Sequence, residues 1–470
     1  MILYHYRSIN KASLEEIEKG TFYFATHEEL NDPIEGYVKV FWQGDKFAWE
    51  GLLRNYIYSL AQTLLQYLLE HDVNVSPIIN INQFNNVPLG KTLHDLGATF
   101  LIDKEIKDLT TFYGQQKLKV NEDGIRIILY LVHNKALRLC ISKYSELNLI
   151  PKENADKALE DLARLEIHNL QFSEINENPP DTKSINIISK VSTNLLNDLL
   201  ELHYMQSRLN DNEISSESKQ FRNWMTILVD FPKLYIHQLK NMIYPESYVV
   251  CFSRKNNNSA MWGNYANHHK GICLIYETDE NNMIQLRGEH NTFKLQAKPI
   301  LYEGNLIERN FFETFGRLTL AEVKAWLTGA DGSISSSFEV FKDADQWRHE
   351  YWKTHEIKTY QKLKAWESEQ EYRVVLTDTF HDFSTTESRK LQYDPKCLRG
   401  IIFGIGISTP EADKQNLTMK IKVSLFEKKR AGKYKREISA LLLYPVKLSR
   451  LRRGYAPCSV SQHLRLVAPW

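Results

Sequence analysis

The sequence predicts an α+β protein, in which a split mixed or antiparallel sheet core is interrupted by a large all-helical insertion. Short β-branched and aromatic runs, typical of strands, lie towards the two ends of the chain. Between them, no glycine occurs from Gly124 to Gly263, and this stretch is rich in Leu, Ile, Asn, Lys and Glu, which is a helical composition. Apolar residues at helical spacing extend the helical region upstream to about residue 46.

These patterns divide the chain into four parts. Residues 1–45 are predicted to be the N-terminal part of the α+β core, and residues 46–245 a helical module of six or so helices. Residues 246–447 are predicted to complete the core. Residues 448–470 are rich in Arg, Ser and Pro without periodicity, and we expect a loosely ordered tail.

The chain is predicted to open β-α-β. Strands at Met1–Tyr6 and Thr21–Phe24 flank a helix at Ala12–Lys19, which Gly20 ends as a C-cap. We expect these strands to form one mixed or antiparallel sheet with four later strands, at Tyr248–Ser253, Ile272–Glu277, Tyr372–Leu376 and Leu398–Phe403.

Helices are predicted in the middle of the chain and again before the last strands. The stripes of their apolar residues indicate ordinary packing faces and not cofactor sites. The predicted segments are Phe47–Leu69, Ile127–Leu149, Asn154–Ile167, Ile185–Leu209, Leu318–Leu327 and Phe338–Tyr360.

Composition excludes several classes of function. Lys and Arg total 59 against 58 Asp and Glu, so no global field attracts nucleic acid or an anionic membrane. Five scattered cysteines, without a C-x-x-C pair, argue against a zinc site and predict a reduced compartment. No signal peptide and no membrane span are found, so the sequence predicts a cytoplasmic protein with no membrane partner.

Four blocks carry a resemblance to a known family. The first is Leu3–Ser8 (LYHYRS) followed by Asn31–Glu35 (NDPIE), and the others are Cys251–Ser253 (CFS), Met261–Gly271 (MWGNYANHHKG) and Trp366–Arg373 (WESEQEYR). In these blocks the chain resembles a bacterial family known as domain of unknown function 2971, although Leu30 and Asn264 replace a phenylalanine and a histidine of the family pattern. Residues 46–245 show no such resemblance.

Charged side chains alternate along two of the predicted strands. Because successive strand residues face opposite sides, His5 and Arg7 should share one side of their strand. Glu367, Glu369, Glu371 and Arg373 share a face if the later strand begins early, and Tyr372 and Val374 then face the core. Carboxylates so close repel one another and raise their pKa, which favours a functional site over a structural strand. The alternative is a solvated edge strand whose charges are neutralised by neighbours.

Two further segments could line a pocket. Asp32 precedes a proline in turn-forming sequence, and with Glu35 it either forms a structural turn or lies at a pocket rim. Met261–Gly271 is predicted to be a short helix in which Trp262 belongs to the core. Tyr265 and His269 on that helix form either a buried hydrogen-bonded pair or a ligand-stacking site.

Three predicted features together resemble the ADP-ribosyltransferase superfamily. They are an opening β-α-β with a polar His/Arg strand, a later strand that ends in Ser253, and a late strand with the Glu-x-Glu pair Glu369 and Glu371. The resemblance implies an ADP-ribosyltransferase-like fold and an NAD-consuming enzyme, an ADP-ribosyltransferase or NAD glycohydrolase, of the kind found among bacterial toxins and phage-defence effectors. It implies that Glu371 is catalytic and that Glu369 activates a protein or nucleic-acid acceptor. NAD would be held by His5, Arg7, Ser253, Tyr265 and His269, with Asp32, Glu35 and Arg373 completing the pocket. The first strand and Glu371 must then meet in one cleft.

Two alternatives stay open. A metal-dependent nuclease or phosphodiesterase would hold Mg²⁺ with Asp32, Glu369 and Glu371, and with Lys358 or Lys364 nearby. A non-enzymatic sensor or scaffold would instead use the charged rows as interaction surfaces, and the helical segment would bind a partner protein.

Overall fold

The computed structural model describes residues 1–32, 34–69, 77, 90–164, 223–224, 226–289, 291–303, 306–379, 381–407 and 442–444. They form α-helices and largely antiparallel sheets, which confirms the mixed α+β class. The predicted helix at Ile185–Leu209 and the predicted tail at 448–470 lie outside these ranges.

The described residues contain fifteen strands, which we number in chain order. They are β1 (Ile2–Arg7), β2 (Thr21–Tyr23), β3 (Val38–Phe41), β4 (Ser247–Ser253), β5 (Ile272–Glu277), β6 (Met283–Arg287), β7 (Thr292–Gln296), β8 (Lys298–Pro299), β9 (Leu301–Tyr302), β10 (Ile307–Asn310), β11 (Gln361–Lys362), β12 (Glu371–Thr377), β13 (Lys390–Tyr393), β14 (Leu398–Phe403) and β15 (Leu442–Tyr444).

The α-helices of the described ranges are numbered in the same way. They are α1 (Lys11–Lys19), α2 (Lys46–Leu69), α3 (Gly90–Ile102), α4 (Lys104–Gln116), α5 (Glu122–Glu146), α6 (Lys152–Arg164), α7 (Phe231–Lys240), α8 (Ser259–Asn264), α9 (Leu320–Trp326) and α10 (Ala344–Tyr360). A π-helical turn at Thr226–Asp230 precedes α7, and 3-10 turns occur at His27–Glu29, Phe311–Glu313, Ser336–Phe341, Lys364–Glu369 and Pro395–Cys397.

The chain divides into two compact units. The first, which we call the sheet unit, takes the described residues of Met1–Tyr37, of Glu246–Ile307 and from Lys353 onwards. The second, the helical unit, takes those of Val38–Pro245 and Glu308–Trp352. Residues 308–352 therefore belong with the helices, whereas the sequence predicts them to be part of the α+β core. Their aromatic side chains explain the difference, because Phe311, Phe312 and Trp326 are buried in the apolar core of the helical unit.

Within its described residues, the sheet unit contains two main sheets and a parallel pair of two-residue strands, β9 and β11. The larger has the order β15-β14-β5-β1-β4-β12-β8, and its neighbours are antiparallel except for the parallel pair β14 and β15. The smaller has the order β2-β13-β6-β7. The prediction of a single sheet is thus wrong for β2, which pairs with β13 through Phe22 and Leu391 instead of joining β1.

The two faces of the large sheet bury different side chains. Leu3, Phe252 and Val374 point to what we call the first face, where they pack in a core with α1 and the smaller sheet. Tyr4 and Tyr6 alternate with Leu3 and point to the second face, where Tyr6 packs with residues of α8. This alternation decides which of the predicted site residues can meet.

The helical unit is built around α2, which packs against α3, α4 and α5. Its core contains a hydrogen bond of 2.7 Å between the Tyr56 hydroxyl and Nδ1 of His133. Of the helices in the described ranges, none combines the length and the apolar character that crossing a membrane requires.

Several predicted boundaries match closely. The strands Ile272–Glu277 and Leu398–Phe403 have the predicted bounds, and Gly20 caps α1 in the left-handed conformation with φ of 62°. The last long helix begins at Ala344 and not at Phe338, because Ser336–Phe341 forms a 3-10 turn.

Candidate functional site

A buried group of five charged side chains lies in the sheet unit, and we call it the ion cluster. Its members are Glu35, Lys362, Glu369, Glu371 and Arg373, whose side chains are at most 3% exposed. The Nζ atom of Lys362 lies 2.8 Å from Glu35, 2.8 Å from Glu369 and 3.1 Å from Glu371. Arg373 donates from Nε to Glu371 at 2.6 Å and from Nη2 to Glu35. Two cations thus hold three carboxylates away from water.

The backbone around β12 explains how three of these side chains meet. Glu371 and Arg373 are two apart on the strand and share the second face, as strand periodicity predicts. Glu369 does not belong to the strand, because Lys364–Glu369 is a 3-10 turn and Gln370 adopts the left-handed conformation with φ of 45°. This turn directs Glu369 back to Lys362. The strand therefore does not begin early enough to include Glu369, but the turn still brings Glu369 and Glu371 to the same lysine.

The pKa values of the two neighbouring glutamates move in opposite directions. Burial alone would raise the pKa of Glu371, but the positive charges of Arg373 and Lys362 outweigh it and hold the pKa at about 2. Burial raises the pKa of Glu369, and Lys362 and the Tyr265 hydroxyl offset this only in part. One carboxylate is firmly ionised, and its neighbour takes up a proton more readily than a glutamate in water.

Ser253 and Tyr265 both hydrogen-bond a member of the ion cluster. Ser253 lies opposite Glu371 in the pairing of β4 with β12, and its hydroxyl donates to the Glu369 carbonyl oxygen at 2.7 Å. The Tyr265 hydroxyl donates to Oε1 of Glu369 at 2.9 Å. Tyr265 is therefore a hydrogen-bond partner of a cluster carboxylate.

His5 and Arg7 do not join this site, and the prediction that they converge with Glu371 is wrong. Tyr4 lies opposite Ser253, so His5 and Arg7 point to the first face while Glu371 points to the second. The His5 ring packs 5.2 Å from that of Phe252, and burial, together with the charge of Arg7, lowers the pKa of His5 to about 3.

The interactions of these two side chains are structural. Nδ1 of His5 hydrogen-bonds the Cys251 carbonyl at 2.7 Å. Arg7 pairs with Glu16 on α1 at 2.6 Å. Neither group is placed to hold the phosphates of a nucleotide bound at the ion cluster.

The segment of His269 also differs from prediction. The helix α8 ends at Asn264, and Asn267, His268 and His269 follow in the left-handed conformation with φ of 46°, 52° and 65°. The His269 ring is stacked on Trp262, with ring centroids 6.5 Å apart, and does not contact Tyr265 as a helix would allow. Trp262 is buried against Tyr6, which confirms its prediction as a core residue.

Asp32 and Glu35 lie in one turn beside the cluster. Oδ1 of Asp32 accepts a hydrogen bond of 3.0 Å from the Ile34 amide, which is the predicted turn chemistry. Oδ2 of Asp32 is buried, and among the described residues it has no hydrogen-bond partner. Asp32 and Glu35 line a pocket of about 360 Å³, counted to its open mouth, to which Lys358 and Lys362 also contribute. Of the ion cluster, Glu35 and Lys362 line this pocket.

The cluster does not suit a Mg²⁺ ion. The position between the carboxylates of Glu35, Glu369 and Glu371 is taken by the Lys362 ammonium group. Within the described parts of the chain, no group of three or more His, Cys, Asp or Glu side chains is arranged to hold a metal ion. The hypothesis of a metal-dependent nuclease therefore has no donor set at this site.

Lys362, the central cation, and Tyr302 were not predicted from the sequence. The lysines predicted to lie near the site were Lys358, which lines the pocket, and Lys364, which begins the 3-10 turn. Lys362 belongs to the two-residue strand β11, whose pairing with β9 leaves no periodic signal in the sequence. The Glu371 amide donates to the Tyr302 hydroxyl at 2.7 Å, which only the tertiary structure reveals.

Comparison with known proteins adds no assignment, since no family model, curated protein or solved structure matches this chain. The resemblances to domain of unknown function 2971 and to the ADP-ribosyltransferases remain predictions drawn from short sequence blocks.

Proposed function

We propose that this protein is an enzyme that cleaves a glycosidic bond, with NAD as the substrate that its sequence resemblance implies. The observation that carries the proposal is the pair Glu369 and Glu371, which share the Lys362 ammonium group while their pKa values shift in opposite directions. Two neighbouring carboxylates with divergent pKa values are the arrangement that acid-base and charge-stabilising roles require.

Each carboxylate has a distinct part in the proposed reaction. When the bond between ribose and nicotinamide breaks, its electron pair goes to the pyridinium ring and positive charge develops on the sugar. Glu371, ionised and fixed by Arg373, would stabilise that charge in a site shielded from water. Glu369 in its ionised form would accept the proton of the attacking water or acceptor group.

The surroundings of the pair support the proposal in two ways. The strands β4 and β12, to which the resemblance assigns the serine and the catalytic glutamate, are neighbours in the large sheet. Ser253 and Tyr265, which the resemblance assigns to the NAD pocket, both hydrogen-bond Glu369. The expectation that the first strand and Glu371 meet in one cleft is not met, because His5 and Arg7 lie on the other face of the sheet. The proposal therefore gives these two residues no role and rests on the carboxylate pair with Ser253 and Tyr265.

The first prediction concerns Glu371. Purified protein incubated with NAD is expected to release nicotinamide, and Glu371→Gln should reduce the rate about 100-fold or more, because the variant lacks the charge that stabilises the transition state. Glu308→Gln is the matched control. Glu308 also pairs with two lysines and has a pKa lowered to about 2 by hydrogen bonds from Lys119 and Lys39, but its side chain is 38% exposed in the helical unit.

A pH profile separates catalysis from stability. The wild-type rate of nicotinamide release should rise with pH as Glu369 loses its proton. The Glu369→Gln variant should be slow, and its rate should not show this rise. Unfolding in urea shows whether each variant is folded under assay conditions. Absence of nicotinamide release by the wild type, or an unchanged rate in folded Glu371→Gln, would refute the proposal and leave the ion cluster with a structural role.

A further inference from the structure

The Glu369 carboxylate is held by two donors of different charge. Its Oε2 atom accepts from the Lys362 ammonium group at 2.8 Å, and its Oε1 atom accepts from the Tyr265 hydroxyl at 2.9 Å. The backbone of Glu369 is fixed as well, because the Ser253 hydroxyl donates to its carbonyl oxygen at 2.7 Å. Hydrogen bonds therefore set both the position and the orientation of this carboxylate, and one of its two donors is neutral.

Glu371 differs from Glu369 in the charge of its donors. Glu371 accepts from Nε of Arg373 at 2.6 Å and from Lys362 at 3.1 Å, so both of these donors are cations. A cation close to a carboxylate stabilises the ionised form more than a neutral hydroxyl does. The Tyr265 hydroxyl thus takes the place at Glu369 that a second cation has at Glu371, which agrees with the raised pKa of Glu369 and the lowered pKa of Glu371.

The chain around Tyr265 anchors its ring. Tyr265 directly follows α8, and its amide donates to the Met261 carbonyl oxygen at 3.0 Å. The ring packs against the apolar cluster of Tyr6 and Trp262 on the second face of the large sheet. Because the ring is anchored in this way, its hydroxyl can hold the carboxylate in one position without a large further loss of side-chain entropy.

We propose that Tyr265 is a positioning residue that keeps Glu369 ionised and bound to Lys362. The sequence resemblance implies a different role, in which Tyr265 helps to hold NAD. Control of Glu369 by Tyr265 follows from contacts within the sheet unit, whereas its effect on nicotinamide release rests on the proposed function. In that reaction, Tyr265 would determine the pH above which Glu369 can accept a proton.

Tyr265→Phe tests the proposal, because it removes the hydroxyl and keeps the ring. Loss of a hydrogen bond to the charged form raises the pKa of a carboxyl group, so the rise of nicotinamide release with pH should move upward by about one pH unit. The rate should fall about tenfold on the acidic side of the profile and less than about twofold at its plateau. A ring that only stacks on NAD predicts no change in this variant, and a ring that only supports the fold predicts the same loss at every pH.

Carbon-13 NMR gives a readout that does not need NAD. In the full-length protein labelled at the side-chain carboxyl carbons of glutamate, the Glu369 signal is the one that Glu369→Gln lacks. Its titration midpoint should be higher in Tyr265→Phe than in the wild type, again by about one pH unit.

Tyr23→Phe is the matched control. The Tyr23 hydroxyl also donates to a glutamate in the sheet unit, at 2.8 Å to Oε1 of Glu29, but the Glu29 side chain is 45% exposed. Tyr23→Phe should change neither the pH profile of nicotinamide release nor the titration midpoint of Glu369.

The outcomes separate this inference from the enzyme proposal. An unchanged midpoint of Glu369 in Tyr265→Phe, or an equal loss of rate at all pH values, overturns the role of Tyr265. If the wild type releases no nicotinamide but the midpoint rises in Tyr265→Phe, the control of Glu369 by Tyr265 is supported and the enzyme proposal fails. If nicotinamide is released and the midpoint is unchanged, the role of Tyr265 fails alone.

Discussion

At the scale of single residues, Lys362 is the centre of the site. Three carboxylates surround its ammonium group, and the ring of Trp366 lies 4.8 Å from it on another side. These charges raise its pKa against the effect of burial, so the lysine stays charged in the interior. Removing it would leave like charges facing one another without water.

The second prediction follows from this position. Lys362→Met should lower the free energy of unfolding by about 3–5 kcal/mol, because three buried carboxylates lose their common partner. The loss should be greater at pH 8 than at pH 5, since protonation relieves their repulsion. Urea denaturation at both pH values measures it.

An exposed pair provides the control for Lys362. Lys298→Met removes the partner of Glu356, whose side chain is 53% exposed, and should cost less than about 1 kcal/mol. Equal losses in the two variants would show that the cluster contributes no more than a surface ion pair.

At the scale of the secondary-structure element, the start of β12 controls the site. A 3-10 turn, one left-handed residue and then the strand bring Glu369 and Glu371 to the same lysine. Gln370 has φ of 45°, a left-handed conformation that costs a residue with a side chain about 1–2 kcal/mol. The 3-10 turn and the strand on either side of Gln370 must offset this cost.

The third prediction tests this connection. Gln370→Gly should keep wild-type activity, whereas the β-branched Gln370→Val should lose about 1–2 kcal/mol of stability and most of the nicotinamide release. Lys117, with φ of 47° at the end of α4, offers the control. Lys117→Val should lose similar stability in the helical unit without changing turnover. Full activity in Gln370→Val would show that the turn does not position the glutamates.

At the scale of the whole molecule, buried titratable groups make stability depend on pH. Burial lowers the pKa values of His5 and His27 to about 3 and that of His133 to about 4, from 6.5. The folded protein binds fewer protons at these sites than the unfolded chain, so stability present above pH 6.5 is lost as the pH falls towards 3. The low pKa of Glu371 extends this loss from about pH 4.5 to 2, and the raised pKa of Glu369 acts in the opposite direction.

The fourth prediction isolates one of these groups. Between pH 7.5 and pH 5, the unfolding free energy of His5→Phe should fall by about 2 kcal/mol less than that of the wild type, because phenylalanine cannot take up a proton in the unfolded chain. Urea unfolding at both pH values gives the difference. His349→Phe, at an exposed position, should follow the wild-type slope. A wild-type slope in His5→Phe would contradict the lowered pKa.

Local patterns were the part of the fold that the sequence could predict. Alternation and capping placed β5 and β14, and they placed Tyr372 and Val374 on the face of β12 that packs in the core. Partners set by long-range pairing escaped prediction. The assignment of β2 to a second sheet and of residues 308–352 to the helical unit depends on packing between segments hundreds of residues apart.

The candidate site was predicted in the same uneven way. Glu371, Arg373 and Glu35 were named and do meet, because the charges of β12 need buried partners. His5 was assigned to the NAD site by its residue type. Because side chains alternate along a strand, His5 points to the first face of the sheet, whereas Glu371 points to the second. No sequence pattern indicated Lys362 as a site residue. It becomes the shared cation of the ion cluster only because folding brings the turns of Glu35 and Glu369 to it.

The left-handed turn at Asn267–His269 constrains a loop more than 130 positions away. The amide of Gly406 donates to the His269 carbonyl oxygen at 2.9 Å, and a side-chain carbon at Gly404 would overlap that same oxygen. A residue with a side chain at 404 can therefore fit only if the backbone of the 267–269 turn moves away, so the two loops must shift together.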